Sequence, residues 1–468
     1  MNFILVIIDS LRKDHLGAYG NQWIRTPFLD NFAQESVRFD RAYPEIMPTI
    51  PFRRSLLTGK RVFPIRDWEP MFSSYPYTKL NTIGLAGVPG WTPLLPEDTS
   101  MAELFGSYGY ETALFTDVFH QFYPGMNFHR GYSSWNWIRG QEWDPVMTGL
   151  IQHQVDETLH CTEGVDRSHQ KIWELQRYLL NVDSRQSEED YFAPRVFRAA
   201  MSWLEQNYKR DNFFMCVDCF DPHEPWDPPQ YYRDMYDPGY EGTEALIPIY
   251  TNRASSYLSK EELAHMRALY AGEVTMVDFW FGHFMNKIIQ LGLDKNSVIV
   301  VMSDHGHQLG EKDFTGKLAF GLMPCILDLA LFIRHPEGKG AGHSVDEFVY
   351  NHDILPTVCN LLGEDVPPWA EGEDLWPLVE GSRSGIRDHV DTIFKDYVWI
   401  RDEHHAMVSR INRTETELYD LAVDPDYNNN IAESNPALID KFWKILEEDA
   451  GGEIPYYNII VPLFDVKR

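Results

Sequence analysis

The chain has 468 residues, of which 44% are hydrophobic and 24% charged, which is typical of a globular protein with a large core. Its formal net charge of −29 excludes nucleic acid as the expected main partner, because phosphate backbones are bound by basic surfaces. No stretch approaches the roughly 20 apolar residues of a membrane span, and the start "MNFILVIIDS" favours a β-strand over a signal peptide, so we expect a cytoplasmic protein with no membrane partner.

Five short, mostly apolar runs predict buried strands, in the order FILVII, ETALF, FFMCV, SVIVVM and LALFI. Runs of this kind are typical of parallel strands with both faces covered. Helical patterns lie between them, for example at residues 190–209 and 260–292. Strands that alternate with helices predict an α/β fold, in which helices sandwich a large, mostly parallel sheet.

Acidic and imidazole side chains follow several of these runs. Asp9 follows the first run, Asp221 and His223 follow the third, and Asp304 and His305 follow the fourth. In open parallel sheets, ligands bind beyond the carboxyl ends of the strands. The pattern therefore predicts a site at that end of the sheet.

The remaining segments predict how the chain is divided. Residues 61–100 are rich in Pro, Tyr, Trp and Gly and predict a long surface excursion, whereas residues 129–190 predict a polar insertion. We expect a catalytic domain over residues 1–380 and a small α+β subdomain over residues 381–468. In that subdomain, "VWIRDEHHAMVSR" and "TELYDL" predict short antiparallel strands, and a final helix is expected around residues 435–449.

Cys216 and Cys219 form a CxxC pair inside the predicted strand "FFMCVDCF". On a strand, residues i and i+3 point to opposite faces, so the two thiols do not converge. The pair therefore favours core packing over a zinc site or a redox disulfide.

Asp9, Asp304 and His305 form a candidate metal set. A hard divalent cation prefers carboxylate oxygens, and a slightly softer one also accepts an imidazole nitrogen. Neighbouring strand ends would supply all three ligands. The alternative for "SDHG" is a simple turn with a capping aspartate, and the residues alone leave both interpretations open.

The stretch "PTIPFRRSLLTGK" predicts a helix that begins with a Thr49 cap, has Pro51 in its first turn and ends at Gly59. A hydroxyl at a helix N-terminus lies at the positive end of the dipole, which also attracts anions. Arg53 falls one turn later and can lean back towards Thr49. An ordinary capped helix with solvated arginines is the alternative.

Five blocks in chain order resemble the sulfatase family of the alkaline phosphatase superfamily: "IIDSLRKDHLGAYGN", "PTIPFRRSLLTGK", "FDPHEPWDPP", "SDHGHQLGEKDFTGK" and "ELYDLAVDPDYNNN". The resemblance spans nearly the whole chain. It implies an alkaline phosphatase/sulfatase-like α/β core with a small C-terminal subdomain. It also implies one divalent metal beside a nucleophile and hydrolysis of a sulfate or related ester.

The resemblance also assigns roles to single residues. It implies that Asp9, Asp304 and His305 bind the metal. Thr49 falls at the nucleophile position, which in most sulfatases is a cysteine, sometimes a serine, that is converted to formylglycine. Pro51 and Arg53 match the rest of that motif. His223 matches the histidine of the family's D-x-H-x-P block, and Lys317 matches a lysine that contacts the substrate anion.

Several positions depart from the family pattern. Thr49 cannot become formylglycine by the usual route, and Ser10 replaces the second aspartate of the usual pair. The family's "GKWH" segment is absent, and "LFTDVFHQF" stands there with Thr116, Asp117 and His120. Ala330 stands where a proline is usual. These departures place the chain away from the main sulfatase branch.

The leading hypothesis is a metal-dependent phosphoester hydrolase that acts on phosphodiesters or phosphonate monoesters. Thr49 would be the nucleophile and a metal ligand. Arg53 and Lys317 would hold the phosphoryl oxygens, and His223 or His120 would protonate the leaving group. We expect one Mn²⁺, Ca²⁺ or Mg²⁺, with Zn²⁺ as a further candidate.

A second metal set could be sought among five polar residues, but no convincing pattern emerges from them: Asp221, His223, His307, His343 and His352.

The expected partner is a small anionic ester, and a homo-oligomer is a further candidate. Asp117, Lys317 and Arg139, the last with Glu142, are the predicted substrate contacts, and the aromatic segments 68–91 and 132–143 would wall the cleft. Two alternatives stay open. One is a true sulfatase that works without formylglycine, and the other is a pseudoenzyme that only binds anions.

Overall fold

The computed structural model describes residues 1–66, 68, 88–123, 125–147 and 170–457. Within them the strands are β1 Asn2–Ile8, β2 Val37–Tyr43, β3 Glu111–Thr116, β4 Ser134–Trp137, β5 Phe213–Cys219, β6 Ser297–Ser303, β7 Gln308–Leu309, β8 Thr315–Gly316, β9 Leu331–Arg334, β10 Ser344–Tyr350, β11 Val390–Phe394, β12 Tyr397–Arg401, β13 His405–Arg410 and β14 Glu417–Asp420. The helices of seven or more residues are α1 Pro27–Gln34, α2 Thr49–Thr58, α3 Met101–Ser107, α4 Gln170–Val182, α5 Phe192–Asn207, α6 Lys260–Gln290, α7 Ile354–Leu362 and α8 Pro436–Asp449. Four-residue helices cover Gln230–Arg233, Pro324–Leu327 and Trp376–Val379.

Eight strands form one large sheet in the order β10-β2-β9-β6-β1-β5-β3-β4. The five neighbours β6, β1, β5, β3 and β4 are all parallel. This arrangement confirms the expected α/β fold with a mostly parallel sheet. It also brings the carboxyl ends of β6, β1, β5 and β3 side by side.

Both faces of this sheet are covered, which explains the unbroken apolar runs. In β1 the side chains alternate between two core clusters, and all of them are fully buried: Phe3, Leu5 and Ile7 in one, and Ile4, Val6 and Ile8 in the other. Helices α2, α3 and α7 contribute to the first cluster, and α1, α5 and α6 contribute to the second.

Strand β9 corrects one expectation. The run LALFI does contain a buried strand, but β9 pairs antiparallel with both β6 and β2. An apolar run reports that both faces are covered and carries no information on direction, so the parallel assignment was wrong.

The C-terminal part contains an antiparallel sheet in the order β11-β12-β13-β14. Helix α8 packs on it through Phe442, Trp443 and Leu446, which join a third core cluster. The predicted strands and final helix of this region are confirmed. The proposed boundary at residue 380 stays a prediction, and parts of the predicted excursion and insertion lie outside the described residues.

Helix α2 begins one residue earlier than a Thr49 cap would require. Thr49 is its first helical residue, Pro48 is the cap, and no side chain caps the N-terminus. The helix ends at Gly59, whose φ of 66° places it in the left-handed region, as expected. Among the described helices, none combines the length and apolarity needed to cross a bilayer.

Candidate active site

Polar residues converge where four adjacent parallel strands end. Asp304 follows β6, Asp9 follows β1 and Asp117 follows β3, whereas Asp221 and His223 lie in the loop after β5. All five residues are buried. The structure therefore places a group of buried polar side chains at the end of the sheet where the site was predicted.

Asp9, Asp304 and His305 form a compact group of potential metal ligands. His305 Nε2 lies 3.6 Å from Asp304 Oδ2 and 4.0 Å from Asp9 Oδ1. Each residue offers one ligand atom, and these atoms lie within 4.8 Å of one another. The three residues proposed from the sequence are thus brought together.

The tautomer of His305 suits metal binding. Its Nδ1 lies 3.0 Å from the carbonyl oxygen of Gly306, which can only accept a hydrogen bond, so Nδ1 carries the proton. Nε2 then presents a lone pair to Asp9 and Asp304. Burial, against the opposing charge of Asp304, lowers the pKa of His305 to about 4, which keeps this lone pair available at neutral pH.

The carboxylates also fit a cation. Asp9 Oδ2 is buried and has no hydrogen-bond partner among the described residues. Burial, and then the neighbouring Asp304, raise the pKa of Asp9 well above its usual range. A divalent cation would relieve both effects, since it supplies the positive charge that two adjacent buried carboxylates need.

Ser10, the residue after Asp9, supports its neighbours. Its Oγ donates to Asp9 Oδ1 at 2.9 Å, and its backbone N–H donates to Asp304 Oδ1 at 2.9 Å. Its φ of 57° lies in the left-handed region, which a serine adopts at a cost of about 1–2 kcal/mol. Ser10 thus orients both carboxylates without adding a charge.

Thr49 faces this group from the first turn of α2. Its Oγ1 lies 3.3 Å from His305 Nε2, and the residue is 3% exposed. The hydroxyl lies at the positive end of the α2 dipole. The hydroxyl therefore lies in contact with one of the three candidate metal ligands.

Arg53 has different partners from those expected. Its Nε and Nη2 donate to the two oxygens of Asp218 at 2.8 and 2.7 Å, and its Nη1 donates to Asp304 Oδ2 at 2.7 Å and to the carbonyl of Thr49 at 3.0 Å. Its Nη2 also lies 3.1 Å from Asp9 Oδ2. Four of its five N–H donors are thus in hydrogen bonds and the fifth lies against Asp9, so in this arrangement Arg53 organises the carboxylates and α2 instead of presenting a donor to a substrate.

A second group surrounds Lys317, which follows β8. Lys317 Nζ lies 2.7 Å from His223 Nε2 and 3.2 Å from Glu224 Oε2. Burial, and then the charge of Lys317, lower the pKa of His223 well below its usual value, although Glu224 opposes them. His223 is therefore a neutral imidazole beside a cation.

His120 lies in an aromatic enclosure. Its Nε2 pairs with Glu142 Oε2 at 2.7 Å, and the rings of Phe119, Trp91 and Trp143 surround it at centroid distances of 4.1, 5.2 and 5.4 Å. Burial, with the charges of Arg53 and Lys317, lowers the pKa of His120 to about 3. His120 thus contacts Glu142, and the structure brings His223, not His120, next to Lys317.

Asp117 connects two loops through hydrogen bonds to Phe220 and Gln141. Its Oδ1 accepts from the backbone N–H of Phe220 at 2.7 Å, and its Oδ2 accepts from Gln141 Nε2 at 3.0 Å. Gln141 also donates to Asp221 at 2.6 Å. Burial, and then Asp221, raise the pKa of Asp117 well above its usual range, which is typical of a carboxyl held inside the protein.

The structure does not bring Arg139 into either group. Its guanidinium pairs with Asp144 at 2.5 and 3.0 Å, lies 4.5 Å from the centroid of Trp137 and is 42% exposed. Other members of "RGQEWDP" do reach the site, since Gln141 donates to Asp117 and Asp221 and Glu142 contacts His120. Much of the predicted aromatic wall at residues 68–91 lies outside the described residues.

Sequence reasoning missed Asp218, Gln121 and Glu224. Asp218 is the partner of Arg53, and Gln121 Nε2 donates to it. A single carboxylate inside the otherwise apolar strand "FFMCVDC" was an available signal, because a buried charge needs a partner. Cys216 and Cys219 of the same strand belong to opposite core clusters, as expected.

Comparison with known proteins decides the family. The model of the family described as Sulfatase matches residues 1–364. This chain belongs to the sulfatase family. It is therefore a hydrolase acting on ester bonds in the alkaline phosphatase superfamily, whose members are metal-dependent, and Asp9, Asp304 and His305 are its candidate metal group.

Individual relatives of this sulfatase-family protein carry different names. It is 25% identical to an arylsulfatase of Clostridium perfringens, over 98% of this chain and 96% of the relative. It is 24% identical to the multifunctional alkaline phosphatase superfamily protein PehA of Trinickia caryophylli, over 87% and 83%. The crystal structure of a phosphonate monoester hydrolase of Agrobacterium radiobacter has the same fold, with a TM-score of 0.70, 21% identity and 96% coverage of both chains.

Proposed function

We propose that this sulfatase-family hydrolase cleaves phosphodiesters or phosphonate monoesters with Thr49 as its nucleophile. The observation that carries the proposal is the position of Thr49 Oγ1, 3.3 Å from His305 Nε2 in the buried metal group. An unmodified hydroxyl there can attack a phosphorus atom as a serine or threonine does in other ester hydrolases.

The choice of phosphorus over sulfur follows from how the covalent intermediate is released. Formylglycine hydrate has a second hydroxyl that can expel sulfate, whereas a sulfated threonine has none and must await attack by water. Water resolves a phosphorylated threonine more readily, in line with the resemblance to phosphatases and phosphodiesterases. The phosphonate monoester hydrolases of Agrobacterium radiobacter and Silicibacter pomeroyi, both with TM-scores of 0.70, support a fold suited to this chemistry.

Asp9, Asp304, His305 and Thr49 would hold one divalent cation. When bound, this cation lowers the pKa of a nearby hydroxyl and polarises a phosphoryl oxygen. Two carboxylates, one imidazole and one hydroxyl suit Mn²⁺, Ca²⁺ or Mg²⁺, with Zn²⁺ as a further candidate. A small anionic ester is then the partner that the proposal requires.

The chemistry would proceed in two displacements. Thr49 loses its hydroxyl proton to solvent, and its Oγ forms a bond to phosphorus as the bond to the leaving oxygen breaks; that oxygen takes a proton from the Lys317–His223 pair. Water then attacks the phosphorus of phospho-Thr49 and gives a proton back to the pair, while the bond to the Thr49 oxygen breaks and that oxygen regains a proton from solvent. Lys317 and the N-terminus of α2 would stabilise the oxygens of phosphorus during both steps.

A sulfatase in the strict sense is the second candidate. The family match and the arylsulfatase of Clostridium perfringens, which covers 98% of this chain, favour it. An anion-binding pseudoenzyme has less support, because the buried ligands, Arg53 and Lys317 are all retained and mutually oriented.

Parallel assays separate these candidates. The purified protein is tested with a bis-aryl phosphate, an aryl phosphonate and an aryl sulfate that share one leaving group, in the presence of each candidate metal. The proposal expects the highest kcat/KM on the bis-aryl phosphate or the phosphonate, with Thr49→Ala inactive on both. Dominant turnover of the sulfate would replace the proposal with the second candidate, and no turnover of any ester with any metal would favour the pseudoenzyme.

A further inference from the structure

Glu224 is a buried carboxylate that receives hydrogen bonds on both of its oxygens. It is 1% exposed. Oε1 accepts from the hydroxyl of Tyr250, and Oε2 lies 3.2 Å from Lys317 Nζ and 3.2 Å from His223 Nδ1. Glu224 therefore touches both members of the Lys317–His223 pair.

The hydrogen-bond directions around His223 are fixed by a backbone carbonyl. His223 Nδ1 lies 2.7 Å from the carbonyl oxygen of Glu224, so Nδ1 carries the proton and donates. Nε2 is then the acceptor for the ammonium of Lys317, 2.7 Å away. Residue 224 thus orients the His223 ring through its backbone and holds Lys317 through its side chain.

The charges in this group balance only if Glu224 is ionised. Against the effect of burial, His223, Lys317 and His307 hold the pKa of Glu224 well below its usual value. An ammonium that is 6% exposed needs a counter-charge of this kind, because an unpaired buried cation is strongly disfavoured. Other titratable groups affected by the Lys317 charge surround it: Asp9, His120, His223, His305 and His307.

We propose that Glu224 is a positioning residue of the reaction, which holds Lys317 Nζ in place as its counter-charge and fixes the ring of His223 beside it. The proposal rests on the proposed function, in which that pair faces the phosphoryl oxygens and the leaving group. Glu224 itself need not touch the substrate. Its contribution passes through Lys317, and this is what distinguishes it from a merely structural carboxylate.

A second metal site is the competing interpretation of the same residues. Glu142, His223 and Glu224 place potential ligand atoms within 4.8 Å of one another, and His307 Nε2 lies 3.3 Å from Glu224 Oε2. However, the His223 nitrogen nearest both carboxylates is Nδ1, which carries a proton for the backbone carbonyl. Lys317 already supplies the positive charge, so we infer an ammonium in place of a metal.

The first test replaces Glu224 by glutamine and by aspartate. Glu224→Gln keeps the shape and removes the charge, and should lower kcat/KM about 100-fold. Glu224→Asp keeps the charge and should recover most of that loss, which a merely structural role of the side chain would not predict. Glu273→Gln controls for the exchange of a buried glutamate by glutamine, because Glu273 is 2% exposed and accepts from the backbone of Asp227; burial raises its pKa well above its usual value, so this exchange does not remove a paired charge.

A double-mutant cycle with Lys317→Met tests the route of the effect. If Glu224 acts through Lys317, Glu224→Gln should change kcat/KM by less than about threefold in the Lys317→Met background. An undiminished 100-fold loss in that background would overturn the proposal. Removing both charges also spares the protein an unpaired buried cation, so the double variant should fold even if Glu224→Gln alone does not.

Metal analysis and substrate choice complete the design. Wild type and Glu224→Gln should each contain one equivalent of divalent metal, and two equivalents in wild type with one in the variant would overturn the proposal. All kinetics are run on whichever ester wild type cleaves fastest. A preference for aryl sulfate would therefore refute the proposed phosphoester activity while still measuring the dependence on Glu224.

Discussion

Asp218→Asn perturbs the contact that orients Arg53. In the native protein, both oxygens of Asp218 accept from Arg53, at 2.7 and 2.8 Å, and Arg53 in turn donates to Asp304 and to the carbonyl of Thr49. An asparagine keeps one acceptor and directs an NH₂ group towards the guanidinium. The side chain of Arg53 is 0% exposed, so water cannot replace the lost acceptor.

Two magnitudes follow from this geometry. Breaking a fully buried ion pair costs about 3 kcal/mol in the free energy of unfolding. At about 2.1 cal/mol/K per residue, the 468-residue chain unfolds with an entropy of about 1 kcal/mol/K, so Tm should fall by about 3 °C. Misplacing Arg53, and with it the first turn of α2, should lower kcat/KM about 100-fold, which corresponds to about 2.7 kcal/mol of activation free energy.

Thermal unfolding and steady-state kinetics on a bis-aryl phosphate measure both effects. Asp353→Asn is the matched control, because Asp353 is fully buried and holds Arg387 through two bonds of 2.7 and 2.9 Å. The control should lose comparable stability and keep its kcat/KM. If Asp218→Asn loses the expected stability but keeps wild-type kcat/KM, the reasoning that Arg53 orients the reactive group is refuted.

Three further predictions concern the metal, the C-terminal sheet and the cysteines. Chelation should abolish turnover and lower Tm, and Mn²⁺, Ca²⁺ or Mg²⁺ should restore both; full activity after verified metal removal would contradict the metal group. Although burial opposes it, bonds to Asp449 and Asp388 raise the pKa of His389 to about 9. Its stabilisation should therefore be complete below pH 6.5 and lost as the pH rises through 9, so urea unfolding of His389→Gln should show a deficit of about 1–2 kcal/mol at pH 6 that vanishes by pH 10. A deficit that does not change with pH would contradict this. Cys216→Ala with Cys219→Ala should leave metal content and the response to reductant unchanged, and a loss of bound metal would show that the thiols do bind it.

The central strands of the sheet and the helices that cover both of its faces could be predicted from the sequence. Strands such as β1 and β6 are apolar on both faces because helices cover both sides, and this pattern is visible in the residues themselves. Strand β2, with the sequence VRFDRAY, was missed because it is only partly buried and its charged residues break the apolar run. The direction of β9 could not be predicted, since it depends on neighbours far away in the chain.

The site was predictable where a motif places a ligand directly after a strand. Asp9, Asp304 and His305 were found in this way and lie together. The partners of Arg53 could not be predicted in this way. The three carboxylates that contact it lie at the ends of three different strands, and no spacing in the sequence relates them. Glu224 could not be predicted either, because its proposed role depends on a contact with Lys317, which lies almost a hundred residues later in the chain.

The most direct test of the central claim is capture of the covalent intermediate. The reaction with a bis-aryl phosphate is quenched in acid during turnover, and the protein is digested. The mass of the peptide that contains Thr49 is then measured by mass spectrometry, with Thr49→Ala as the control. An aryl phosphoryl adduct on Thr49 in wild type, which keeps one of the two aryl groups, together with a kcat/KM lowered by about 10⁴-fold or more in Thr49→Ala, is the predicted result. Near wild-type turnover by Thr49→Ala, or an adduct on another residue, would contradict the claim that Thr49 is the nucleophile.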